Sequence, residues 1–78
     1  MKEYRNEKGE LHRTDGPAIE WSNGTKEWYV NGLRHREDGP AVEFNDGSKL
    51  WYLNGVLYKK DKYEQKLIKL KLKRLSQL

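Results

Sequence analysis

The sequence predicts a mainly β (α+β) domain, an antiparallel β-hairpin repeat meander with a C-terminal capping α-helix. Three observations carry that expectation. A seven-residue motif recurs 23 residues on, as His-Arg-Thr-Asp-Gly-Pro-Ala at 12–18 and His-Arg-Glu-Asp-Gly-Pro-Ala at 35–41. Asn-Gly or Asp-Gly stands at 23–24, 31–32, 46–47 and 54–55, and these dipeptides favour the left-handed backbone of tight hairpin turns. After Tyr58 the repeat fails, and leucines return at helical spacing.

The 23-residue register extends well beyond the motif. Ile19 and Val42, Trp21 and Phe44, Gly24 and Gly47, Trp28 and Trp51, Tyr29 and Tyr52, Gly32 and Gly55 all keep it. A fixed period of this size marks stacked units that bury their apolar faces against one another. Residues 1–60 therefore read as two full repeats with partial flanking repeats, and 61–78 as a basic amphipathic helix packed on or capping the sheet.

Between the turns lie short segments rich in β-branched and aromatic residues, which predict strands near 10–13, 17–22, 25–30, 33–36, 40–45, 48–53 and 56–59. A two-residue turn at 23–24 places Ile19 opposite Trp28, and one at 31–32 places Trp28 opposite His35. One face then collects Ile19, Trp21, Trp28, Val30, Leu33 and His35, and the other holds Ala18, Glu20, Glu27, Tyr29 and Arg34. This pairing sets Glu20 against Glu27, and like charges directly opposite are unfavourable. Either the turns are longer than two residues, or Arg34 lies between the carboxylates.

The Asp-Gly-Pro-Ala corner re-aims the chain between hairpins. Glycine permits backbone angles other residues avoid, and proline fixes the next one. Asp15 and Asp38 are placed to accept turn N–H groups or to pair with Arg13 and Arg36. His12, Arg13, Asp15, Gly16 and Pro17, with their counterparts His35, Arg36, Asp38, Gly39 and Pro40, thus form a structural repeat motif.

Asp61, with Glu64 three residues on, reads as the N-cap of the terminal helix. Around its wheel Tyr63, Leu67, Ile68, Leu70, Leu72, Leu75 and Leu78 share one broad arc, and Lys66, Lys69 and Lys73 cluster opposite. The arc is wider than one small sheet needs, so Leu70, Leu72 and Leu75 are candidate contacts for a homodimer. The alternation from Ile68 to Lys73 also fits a strand.

Seventy-eight residues make one small domain, and no cysteine is present to staple it. Residues 1–55 carry eight Lys/Arg against ten Asp/Glu, and 56–78 carry eight against two. The halves are therefore −2 and +6, which points the tail toward an acidic partner. With no signal core, no long apolar stretch and no cysteine, the chain reads as soluble and cytoplasmic, and a membrane is not among its expected partners.

The unit resembles a MORN-type repeat, with Gly32-Leu-Arg-His35 and Asp46-Gly47 matching that pattern. The extra Arg-x-Asp-Gly-Pro-Ala makes it more similar to the MORN-like His-Arg-x-Asp-Gly-Pro-Ala proteins of bacteriophages, large DNA viruses and some bacteria. The resemblance covers about residues 5–60. It implies a β-repeat fold and a viral or mobile-element origin, and no shared catalytic activity.

His12 and His35, each three residues before an aspartate, are the sole candidates for acid–base or metal chemistry, and their place in a repeated corner favours packing. No nucleophile elbow, phosphate loop or HExxH occurs. We therefore expect no enzyme, no cofactor and no metal, but a binding module. Tyr29, Arg34, Tyr52 and Leu57, on the face away from the tryptophans, are the candidates for a protein interface, since Tyr and Arg are favoured at interface centres. For a virus-type protein the natural partner is a host protein, such as a defence or regulatory complex that it blocks. The alternative is a nucleic acid or nucleotide, held by Lys66, Lys69 and Lys73 with the tyrosines stacking on bases.

Overall fold

Two kinds of turn alternate along the chain, and each sets the register of the hairpin it closes. At Asn31-Gly32 and Asn54-Gly55 both residues have positive φ, 49° and 82°, then 51° and 83°. These are two-residue type I′ turns, and they pair Val30 with Leu33 and Leu53 with Val56 as the sequence predicts. The turns at 23–24 and 46–47 are one residue longer. Trp21 N–H donates to Thr25 O and Gly24 N–H back to Trp21 O, leaving only Gly24 with positive φ, and Phe44, Gly47 and Ser48 repeat the pattern. Asn23 and Asp46 brace these turns by accepting the N–H of Thr25 and Ser48.

The computed structural model describes residues 1–77, an antiparallel hairpin meander of eight short strands followed by one helix. In chain order the strands are β1 (Lys2–Glu3), β2 (Ile19–Glu20), β3 (Lys26–Glu27), β4 (Tyr29–Val30), β5 (Leu33–Arg34), β6 (Val42–Glu43), β7 (Lys49–Leu53) and β8 (Val56–Tyr58). One sheet runs β1-β2-β3-β6-β7-β8, and β4-β5 form a second. The expected strand at 10–13 is reduced to a single bridge between Leu11 and Arg5, around a further turn braced by Asn6 that the sequence reading missed.

The longer turn changes which residues face each other. Ile19 pairs with Glu27 and Glu20 with Lys26, so the expected opposition of Ile19 to Trp28 and of Glu20 to Glu27 does not occur. Across the sheet one row reads Glu3, Ile19, Glu27, Val42, Leu50, and the next Lys2, Glu20, Lys26, Glu43, Lys49. The second row alternates in charge at every step, which favours this register electrostatically. Glu27 therefore shares the face of Ile19 and Val42, and the expected division into a tryptophan face and a Glu27–Tyr29 face is corrected. Trp21 and Phe44 lie toward the hairpin ends, 42% and 39% exposed, while Ala18, Ile19, Ala41, Val42, Leu53 and Tyr63 are buried.

The predicted strand 25–30 is broken at Trp28. Its N–H leaves the hairpin to donate to Ala41 O, while its C=O accepts from His35 N–H. Trp28 thereby joins the two sheets. The equivalent Trp51 has no following repeat beside it among the described residues and pairs with Tyr58, so β7 runs on unbroken.

The helix α1 spans Lys60–Leu75. Lys59 occupies the N-cap position without a side-chain cap and Asp61 lies inside the first turn, which corrects the expected Asp61 cap. A strand at 68–73 is likewise excluded, and the expected end of the helix at Leu78 falls outside the described residues. Tyr63 anchors α1, buried with its OH donating to Arg36 O at 2.6 Å. Arg74 fastens the far end by two parallel bonds to the Glu37 carboxylate, each 2.6 Å. No helix among the described residues is long and apolar enough to cross a membrane.

Candidate functional site

The repeated corner is built by one arginine per copy. Arg36 donates from Nε to Asp38 at 2.8 Å and from Nη1 to Pro40 O at 3.0 Å and Glu43 at 2.9 Å. Its guanidinium also lies 3.8 Å from the centre of the Trp28 ring. Arg13 repeats the arrangement on Asp15, Pro17 O and, at 3.6 Å, Glu20, over the Tyr4 ring at 4.1 Å. A Cβ on Gly16 or Gly39 would sit 3.0 Å from the arginine Cζ, so the glycine makes room for the guanidinium.

The histidines serve the neighbouring repeat. His12 Nδ1 accepts the N–H of Asn31 at 3.0 Å, and His35 Nδ1 that of Asn54 at 2.9 Å. Each therefore ties its corner to the next Asn-Gly turn. His35 Nε2 also meets Glu37 at 2.7 Å, which links this tie to the Arg74 clamp on α1.

Tyr29, Arg34 and Tyr52 are brought together, but around an internal carboxylate. Glu27 accepts from Trp21 Nε1 at 2.7 Å, Arg34 Nη2 at 2.9 Å and Tyr29 OH at 3.1 Å. Arg34 reaches Tyr29 OH and Tyr52 OH as well. Burial alone would raise the Glu27 carboxyl, yet the bonds from Trp21, Arg34 and Tyr29 outweigh it and hold it below the usual range. The three candidates are half-buried and their polar atoms are occupied, so the expectation of exposed tyrosines is corrected. Of that set Leu57 alone is open, at 53% exposure.

On α1 only Tyr63 is buried, with Leu67 and Leu70 half-buried. Leu70 lies on the same side of the helix as Tyr63, and the exposed Ile68 lies beside Leu72 and Leu75. These three are 59%, 58% and 63% exposed. Lys66, Lys69 and Lys73 are exposed too, and form no ion pair among the described residues.

Two clefts open on the surface. One, about 590 Å³, lies between the two arginine corners and includes Trp28, His35, Glu37 and Lys71. The other, about 480 Å³, runs along β7 and β8 past Lys49, Trp51, Leu57 and Tyr58 to Lys59 and Lys60. No protein-family model matches the chain, and no curated protein or solved structure matches it either.

Proposed function

We propose that this chain is a non-enzymatic binding module that docks on another protein through the outward face of α1. One observation carries the reading. Ile68, Leu72 and Leu75 form an exposed apolar stripe, roughly 120–180° around the helix from the buried Tyr63. Such a stripe left in water forgoes the free energy of burial, and contiguous exposed apolar surface marks interaction sites.

Charge selects the partner. Lys69 and Lys71 flank the stripe on its two sides, Asp61 and Glu64 lie at its N-terminal end, and residues 56–78 carry eight basic against two acidic side chains. A second copy would bring like charge against like charge, whereas an acidic rim on a different protein complements it. The resemblance to viral and phage MORN-like proteins supports a host protein in the host cytoplasm, with block of a defence or regulatory complex as the outcome.

A polyanion is the second reading, favoured by the exposed Lys66, Lys69 and Lys73, which form no ion pair among the described residues. Tagged chain captured from host lysate, with and without nuclease at moderate salt, separates the two. One stoichiometric protein surviving nuclease supports docking on a protein. Loss of all bound material after nuclease contradicts it, because phosphate contacts are the ones that fade with salt and nuclease.

A further inference from the structure

The repeat stops one strand short of what β7 is shaped to receive. In the preceding repeat, Lys26 and Glu27 of β3 are paired on both edges, by β2 on one side and β6 on the other. Their counterparts Lys49 and Leu50 pair with β6 alone. The far edge of β7 at these two residues carries no strand among the described residues, since β8 begins its pairing at Trp51. Where Glu27 is buried at 8% exposure, Leu50 is only half-buried. A cleft of about 480 Å³ runs along Lys49, Leu50 and Trp51 on this edge, with Lys59 and Lys60 at its rim and the Lys60 ammonium 5.9 Å from the centre of the Trp51 ring.

What that strand would look like is written twice in this chain. Ala41-Val42-Glu43 covers β3, with Ala41 O taking the Trp28 N–H, Val42 opposite Glu27 and Glu43 opposite Lys26. Ala18-Ile19-Glu20 covers β1 the same way, Ala18 O taking the Tyr4 N–H. Each occupant places a small residue opposite an aromatic, an aliphatic beside it, and a glutamate against a lysine. The charge row Lys2, Glu20, Lys26, Glu43, Lys49 ends on a lysine. Lys59 and Lys60 add two more positive charges to the cleft, and no carboxylate lines it.

The geometry points to β7 as an acceptor edge for an extended acidic segment of a partner protein, which adds antiparallel to Lys49–Trp51 with a small–aliphatic–acidic pattern. This deepens the protein-docking reading and rests on it. Main-chain hydrogen bonds supply the affinity and the side-chain pattern the selectivity, as in other strand additions. A second copy of this chain is not the occupant, because its two segments of that pattern are already paired inside the sheet.

The test uses a labelled peptide, Gly-Pro-Ala-Val-Glu-Phe, which is the sequence of residues 39–44, and the same peptide with lysine for glutamate. Fluorescence anisotropy on the full chain is expected to show saturable binding of the acidic peptide, about tenfold tighter than the lysine one, because like charges directly opposite are destabilising. Lys49→Glu is expected to reverse the preference. Hydrogen exchange on the unmutated chain guards against a variant that fails to fold, since the acidic peptide should slow the Lys49–Trp51 amides. No saturable binding, equal binding of the two peptides, or protection confined to another strand overturns the assignment. A chain that ignores both peptides yet still captures a protein through α1 would sink the edge and leave the helix reading intact.

Discussion

His35 and Asn54 stand in different hairpins and are joined by one hydrogen bond, in which the Asn54 backbone N–H donates to His35 Nδ1 at 2.9 Å. His12 and Asn31 repeat it at 3.0 Å. The motif histidine thus couples one repeat to the next turn. With Nδ1 accepting, the ring proton of the neutral imidazole resides on Nε2, and in His35 it points at Glu37.

Nitrogen NMR shifts should accordingly report the Nε2–H tautomer for the neutral ring of both histidines. His35→Ala leaves the Asn54 N–H without its acceptor and opens a gap beside it. A loss of about 1–2 kcal/mol is expected, with faster exchange of the Asn54 amide. An unchanged melting temperature would contradict the coupling.

Gly39 and Arg36 should behave as a unit. Gly39→Ala places a methyl 3.0 Å from the Arg36 Cζ, and the guanidinium has little freedom to yield while Asp38, Pro40, Glu43 and Trp28 hold it. The substitution is expected to cost about 1–3 kcal/mol. In an Arg36→Ala background the same change should be nearly neutral, a coupling that a double-mutant cycle in urea measures directly.

Among the described residues Glu27 is the one buried carboxylate. Glu27→Ala strands Arg34 and the Trp21 indole N–H, and a cost of about 1–3 kcal/mol is expected from the lost acceptor, with the guanidinium partly screened by solvent. The Trp21 indole proton should move in NMR spectra. A smaller loss for Glu27→Gln, which keeps an acceptor, would show that hydrogen bonding contributes beyond charge.

These relationships were legible in the sequence to different degrees. The period, the hairpins and the terminal helix follow from Gly, Asn and the leucine spacing, which act locally. The register at 23–24 did not follow, because an Asn-Gly pair serves both two- and three-residue turns, and the deciding bonds to Thr25 and Ser48 come from the Asn23 and Asp46 side chains. One added turn residue moved Glu27 into the core row and drew Tyr29, Arg34 and Tyr52 inward with it. The arginine's grip joins an aromatic eight or nine residues before it to a glycine three after it, which no periodicity displays. The open edge of β7 was hidden because it is the absence of a repeat.

Acid should loosen the helix before the sheet. The Glu37 carboxyl is held down to about 2 by its bonds with Arg74 first and His35 after, against the opposing effect of burial. Its folded value lies below the ordinary 4.5, so the stabilisation is present above about 4.5 and is lost as pH falls toward 2. The effect is modest, since Arg74 is 55% exposed and solvent screens the pair. Helix content and stability followed across this window should fall less steeply in Glu37→Gln than in the unmodified chain.

The most direct test of docking through α1 is a paired capture experiment in nuclease-treated host lysate at moderate salt. Ile68→Ser/Leu72→Ser/Leu75→Ser removes the apolar stripe, and Lys66→Glu/Lys69→Glu/Lys73→Glu reverses the lysine row, both on exposed positions that leave Tyr63 and Arg74 in place. Docking on a protein predicts that the serine variant loses the captured partner, while the glutamate variant retains part of it. Retention of the partner by the serine variant and its loss by the glutamate variant would contradict the account and assign the helix to a polyanion.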